Sequence, residues 1–157
     1  MGTKITVMFI VTIFALPGSV LAIDAKSVEE TNTTIPVFIP APDLKWNDLD
    51  PVGAPGVKVV DLWGNHQEGP FGALFKLPAG FLTALHTHTH AMKVVFLSGI
   101  YIQAPEGKPE VRLGPGSYMM QPGGNYRHTT SCDHASDCVF FVESNGGFDL
   151  KPVVVPK

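Results

Sequence analysis

The residues best suited to chemistry concentrate in one stretch, Gly80 to Gly99, GFLTALHTHTHAMKVVFLSG. It holds His86, His88 and His90, half of the six histidines in the chain. Along an extended strand, alternate side chains share a face. His86 and His88 therefore project side by side, and His90 shares their parity. Two imidazoles so placed form a metal-ligand pair or part of a larger set. Neutral imidazole ligates zinc, copper, nickel and iron. The plainer alternative is a solvated, histidine-rich strand end.

Other chemistry is sparse. Ser117 and Ser131 have no legible base partner, and the sequence shows no phosphate loop and no paired carboxylates. His66 reads as a loop residue with a solvated ring. Cys132-Asp133-His134 with Cys138 is too compressed for a zinc loop and reads better as a disulfide hairpin. Arg127 is a candidate partner for an anionic substrate, or for Glu143 or Asp133. Lys93 alternates to the face opposite Met92.

The elements that must carry these residues are short strands. The 157 residues suit one domain, with 45% hydrophobic and only 16% charged residues. Sixteen glycines and 14 prolines supply the turns. A net charge of −3 without a basic run argues against nucleic acid as a partner. Strand patterns cover Val57–Trp63, Phe71–Leu77, Phe81–His88, Met92–Leu97, Ile100–Ala104, Glu110–Leu113, Ser117–Gln121, Cys138–Glu143 and Phe148–Val155. Nine or ten short strands at regular spacing, with no convincing helix, indicate an all-β sandwich or barrel.

Residues 1–22 read as a secretory signal peptide. Lys4 precedes an apolar run from Ile5 to Leu16, and cleavage is expected after Ala22. The run is short for a membrane span, so no stable span is expected after cleavage. Export places the protein in an oxidising compartment, secreted or periplasmic, where Cys132 and Cys138 are a candidate disulfide. Two buried thiols are the alternative. Residues 23–56 form a Pro-rich leader that lies extended, along a sheet edge, with Trp46 as its anchor. Asn32-Thr33-Thr34 is a glycosylation sequon in a eukaryotic secretory route. Residues 57–157 form the folded domain.

Two motifs in that domain are similar to those of the cupin superfamily. Gly80, five residues, His86-Thr87-His88, three residues, Met92, six residues, Gly99 reproduces the spacing of the first cupin motif. Met92 stands where that family usually has glutamate. Gly116, five residues, Pro122-Gly123-Gly124 fits the second motif, with His128 one residue late and Arg127 at the usual histidine position. The phrases HTHTHAMKVVFLSG, GPGSYMMQPGGNYRH and DCVFFVES resemble an exported, ChrR-like group of bacterial cupins of unassigned function.

The resemblance implies a double-stranded β-helix, or jelly-roll barrel, into which His86, His88 and His128 point to share one divalent transition metal. Zinc, iron, manganese, nickel and copper all suit imidazole donors. His90 is the candidate fourth ligand, although cupins usually begin to turn there and a solvated turn histidine is the favoured alternative. Met92 is either a soft thioether ligand or core filler, and core filler is the commoner role of methionine. Tyr118, Gln121 and Phe96 are the expected pocket residues. Two functions follow from the resemblance. One is a small-molecule metalloenzyme of oxygenase or isomerase type. The other is a non-catalytic module that holds a metal or small ligand as a sensor or scaffold. Cupins also pair as homodimers.

Overall fold

The computed structural model describes residues 35–154. Two compact units divide the chain after Phe38, and the fold below is that of the second, beginning at Ile39. The expected signal peptide and the Asn32 sequon lie outside the described residues.

Among the described residues, eleven strands follow a short 3-10 turn at Ala41–Asp43. They are β1 (Asn47–Asp50), β2 (Ala54–Gly64), β3 (Phe71–Leu77), β4 (His86–Thr87), β5 (Met92–Ser98) and β6 (Tyr101–Pro105), then β7 (Val111–Leu113), β8 (Tyr118–Gln121), β9 (His128–Cys132), β10 (Cys138–Ser144) and β11 (Lys151–Pro152). One sheet runs β1-β2-β3-β10-β5-β8 and the other β11-β4-β9-β6-β7. The pairings within both sheets are antiparallel. Strands distant in sequence thus become neighbours, as in a jelly roll.

The larger sheet supplies most of the apolar core. In β10, Phe140 and Val142 face inward while Phe141 and Glu143 alternate outward. Phe75 of β3 stacks on Phe140 with ring centroids 5.9 Å apart. Phe96 of β5 packs on Phe140 and on Tyr101 of β6, which joins the two sheets through aromatic contact.

Two local features differ from the sequence expectation. The strand expected over Phe81–His88 shrinks to His86–Thr87, preceded by an isolated bridge from Leu82 to Ser131. A strand without an apolar signature forms at β9, because its inward residues His128 and Thr130 are polar. Asn47–Asp50, within the Pro-rich stretch, forms the edge strand β1 against β2. Nearby, the Lys76 ammonium lies 5.1 Å above the Trp46 ring, a cation–π contact.

The second turn motif packs against the histidine segment. At Gly124 φ is +79°, a left-handed backbone that favours glycine, and its N–H donates to the His88 carbonyl at 2.8 Å. A Cβ on Gly123 would meet the Thr89 carbonyl oxygen at 2.5 Å. The turn therefore docks directly on the histidine strand. Cys132 and Cys138 stand at disulfide-bonding distance, with Cα atoms 5.9 Å apart, and tie the end of β9 to the start of β10.

Candidate metal centre

His86 and His128 are Cα partners across the β4–β9 pair. His88 lies two residues beyond His86, so its side chain returns to the same inward face. Ring centroids are 4.2 Å apart for His86 and His128, 4.9 Å for His86 and His88, and 5.2 Å for His88 and His128. One ring nitrogen from each lies within 4.8 Å of the others, and all three side chains are buried.

The backbone fixes their tautomers. His86 Nδ1 is 2.8 Å from the Ala84 carbonyl, and His128 Nδ1 is 3.2 Å from the Tyr126 carbonyl. His88 Nδ1 contacts the Asp149 carbonyl. A carbonyl oxygen only accepts, so each Nδ1 carries the proton and donates it. Each Nε2 is left with a lone pair. A carbonyl that accepts from the far nitrogen and so orients the near one is the usual outer support of a metal-bound imidazole.

The electrostatics agree. Burial pushes the His88 pKa down to about 4, with the His86 charge adding to the effect. Burial and the two neighbouring imidazoles push His128 down to about 4. Burial also lowers His86. The rings are therefore neutral at pH 7, the form a metal binds. Three neutral nitrogen donors on one wall fit a first-row transition metal.

These rings line a cavity of about 80 Å³ whose other walls are mostly apolar, with Phe75, Phe140, Val142 and Phe148 among them. Met92 and Gln121 also line it. They are Cα partners across β5 and β8 and are both buried. Of the other expected pocket residues, neither lines this cavity. Tyr118 is 59% exposed, because residues 118 and 120 of β8 turn outward while 119 and 121 turn inward. Phe96 is buried behind the wall, against Tyr101 and Phe140. His90 is exposed and lies outside the histidine cluster, its ring against Gly146. Arg127 pairs with Glu106 at 3.3 Å on the surface, while Asp133 pairs with Arg112 and Glu143 with Lys93. His66 is buried rather than solvated, with Nδ1 2.9 Å from an Asp61 carboxylate oxygen.

Sequence reasoning missed a polar chain behind the histidines. Gln121 Nε2 lies 3.3 and 3.4 Å from the two ring nitrogens of His128. Gln121 Oε1 accepts from Gln103 Nε2 at 2.8 Å. Gln103 Oε1 in turn accepts from the Tyr101 hydroxyl at 3.2 Å, and that hydroxyl is 3.0 Å from Thr130 Oγ1. Burial holds the Tyr101 phenol up at about 12. The signal was the inward parity of Gln103 and Thr130, readable only once β6 and β9 are paired. Asp149 was missed too. Its carbonyl holds His88 and its carboxylate receives the Thr89 N–H at 2.7 Å, so the segment leading into β11 pins the histidine strand.

The two antiparallel sheets form a cupin fold, with the three histidines inside it. Within that class the chain belongs to a family described as a domain of unknown function, DUF4437, which it matches over residues 19–151. Among solved structures it is similar to the polyketide cyclase RemF from Streptomyces resistomycificus, with 16% identity and a TM-score of 0.64 over 78% of this chain and 89% of that one. An RmlC-like cupin from Ralstonia eutropha JMP134 shares 20% identity with a TM-score of 0.58, covering 76% of each chain. A chain of the Rhodobacter sphaeroides complex of SigE with the anti-sigma ChrR shares 20% identity with a TM-score of 0.51, over 68% of this chain and 51% of that one. At such identities the likeness concerns the fold. No curated protein matches the chain. Among the described residues, no helix is long and apolar enough to cross a membrane.

Proposed function

We propose that this chain is an exported cupin whose His86, His88 and His128 hold one divalent transition metal and present it to a small molecule in the barrel. The observation that carries this reading is the common tautomer: three Nδ1–H groups donate to backbone carbonyls and leave each Nε2 with a lone pair, in three rings that each bring one nitrogen within 4.8 Å of the others. A solvated histidine cluster has no need of three separate carbonyl anchors.

A metal held there supplies Lewis acidity toward an oxygen-bearing ligand. The chain's own residues do the rest. The apolar walls select a ligand with a small hydrocarbon body and exclude water. Thr130 offers a polar contact that orients it. Residues 1–22 act as a signal peptide, and 23–56 as a leader whose last part pairs into the larger sheet as β1 and the start of β2. The Cys132–Cys138 pair is compatible with an oxidising destination.

The test is metal content, by mass spectrometry, of protein purified without chelators or a histidine tag. Near-equimolar transition metal, lost in His86→Ala, supports the reading. Metal-free protein that also takes up none on reconstitution overturns it.

A second reading, a binding or sensor module without turnover, draws on one further observation. The cavity wall carries no carboxylate among the described residues, and Tyr101 stays protonated. General acid–base groups other than the histidines are therefore lacking. Ligand-induced stabilisation without product favours the module, and steady-state turnover of any small substrate excludes it.

A further inference from the structure

The wall opposite β4 offers the metal reading a fourth donor, and Met92 cannot supply an oxygen there. Its cross-strand partner Gln121 can. Gln121 is 2% exposed, lines the cavity, and directs one end of its amide at His128. In this orientation that end is Nε2, 3.3 Å from His128 Nδ1 and 3.4 Å from Nε2. Nδ1 already donates its proton to the Tyr126 carbonyl. The only lone pair that Gln121 can donate to is therefore the one on Nε2, which a metal would claim.

A buried N–H left without an acceptor costs free energy. The amide has a way out. Its oxygen and nitrogen are nearly equal in shape, so a half-turn exchanges them without changing the packing. Gln121 Oε1 then points into the cavity and Nε2 faces Gln103. Gln103 turns likewise, accepting through Oε1 and donating through Nε2 toward the Tyr101 and Thr130 hydroxyls, which both give and receive hydrogen bonds. The chain of amides thus holds Gln121 in either sense.

We propose that the Gln121 side-chain oxygen is the fourth protein donor to the metal, with Gln103 as the residue that positions it. This rests on the three-histidine reading and adds one oxygen to its donor set. A neutral amide oxygen adds no charge, so the whole protein ligand set stays neutral and the bound cation keeps its full charge toward an anionic or strongly polar ligand.

The test uses the full chain, zinc affinity by competition with a chromophoric chelator, and the visible spectrum of the cobalt-loaded protein. Gln121→Leu is expected to bind zinc on the order of 10- to 100-fold more weakly and to change the cobalt spectrum. Gln121→Glu keeps an oxygen on Gln103 and adds a charged one at the site, so it is expected to bind zinc at least tenfold more tightly than the parent chain. Gln103→Leu is expected to weaken binding by a smaller factor. Parental affinity and spectrum in Gln121→Leu, with binding still lost in His86→Ala, overturn the Gln121 assignment and leave the histidine site standing. Weakened binding in both Gln121 variants marks a purely structural glutamine and also overturns it. If Gln121→Leu fails to fold, Gln121→Ala takes its place: weaker zinc binding with a changed cobalt spectrum supports the assignment, and parental affinity and spectrum reject it. A parent chain that binds neither zinc nor cobalt fails at the histidine site itself.

Discussion

His86 and His128 face each other as the register pair between β4 and β9, and each donates its Nδ1–H to the carbonyl two residues before it. One local device is used twice, on two antiparallel strands, with ring centroids 4.2 Å apart. His88 reaches the same state by another route, through the Asp149 carbonyl on the approach to β11.

This arrangement predicts that zinc stabilises the folded chain and that either facing histidine is indispensable. Ligand at 100 times its Kd adds about 2.7 kcal/mol of stability, which moves a melting midpoint by several degrees. His86→Ala and His128→Ala should each abolish that shift in a calorimetric scan with and without zinc. A full shift in either variant would place the metal elsewhere.

Acid should destabilise the metal-free protein over a defined window. In the unfolded chain His88 and His128 titrate near 6.5, while in the folded chain both are held down at about 4. Below pH 6.5 the unfolded state gains protons that the folded state refuses, so stability falls as pH drops and levels off once the folded pKa is passed. The loss is on the order of 3 kcal/mol for each of the two rings across that window. Urea midpoints at pH 7.5 and pH 5 measure it, and His88→Gln should flatten the slope. Equal midpoints at the two pH values in the parent chain would contradict it.

How much of this was legible in the sequence depends on where each residue's partner lies. His86 and His88 were readable because strand parity is local. The strand β10 was readable because Phe140 and Val142 give it a continuous apolar character. The strand β9 was not, since its inward residues His128 and Thr130 are polar and match no hydrophobic period. Tyr118 and Gln121 were both expected at the pocket, but they have opposite parity along β8, which turns Tyr118 outward and Gln121 inward. The Gln121–Gln103 link joins β8 to β6 across two sheets, and the Asp149 contact spans 61 residues. Pairings of that kind are set by topology, and no local pattern encodes them.

The cysteine pair should be stabilising in proportion to its loop. A cross-link spanning six positions removes about 2 kcal/mol worth of unfolded-state freedom. Both residues are buried, so the double variant Cys132→Ala/Cys138→Ala should melt several degrees lower than the parent. Reductant should lower the parent's midpoint toward the variant's and leave the variant unchanged. A parent that melts identically with and without reductant would show that the bond contributes nothing.

Met92→Glu should couple stability to metal strongly. Met92 is 6% exposed on the cavity surface and has no polar neighbour on its own strand face except through its partners Gln121 and Ser144. A carboxylate there is desolvated, and without metal it must take a proton or draw one onto an imidazole. Either course destabilises the metal-free protein by a few kcal/mol. With metal bound, the same carboxylate adds a charged, hard oxygen donor to the three imidazoles. Hard donors favour manganese and iron over softer ions. The metal-free melting midpoint should therefore fall, the metal-induced rise should grow, and the gain in affinity should be larger for manganese than for zinc. The three quantities come from paired melts and from competition titrations with the two ions. An unchanged manganese affinity in Met92→Glu would mean that position 92 does not reach the ion, and the side chain would then be a packing residue of β5.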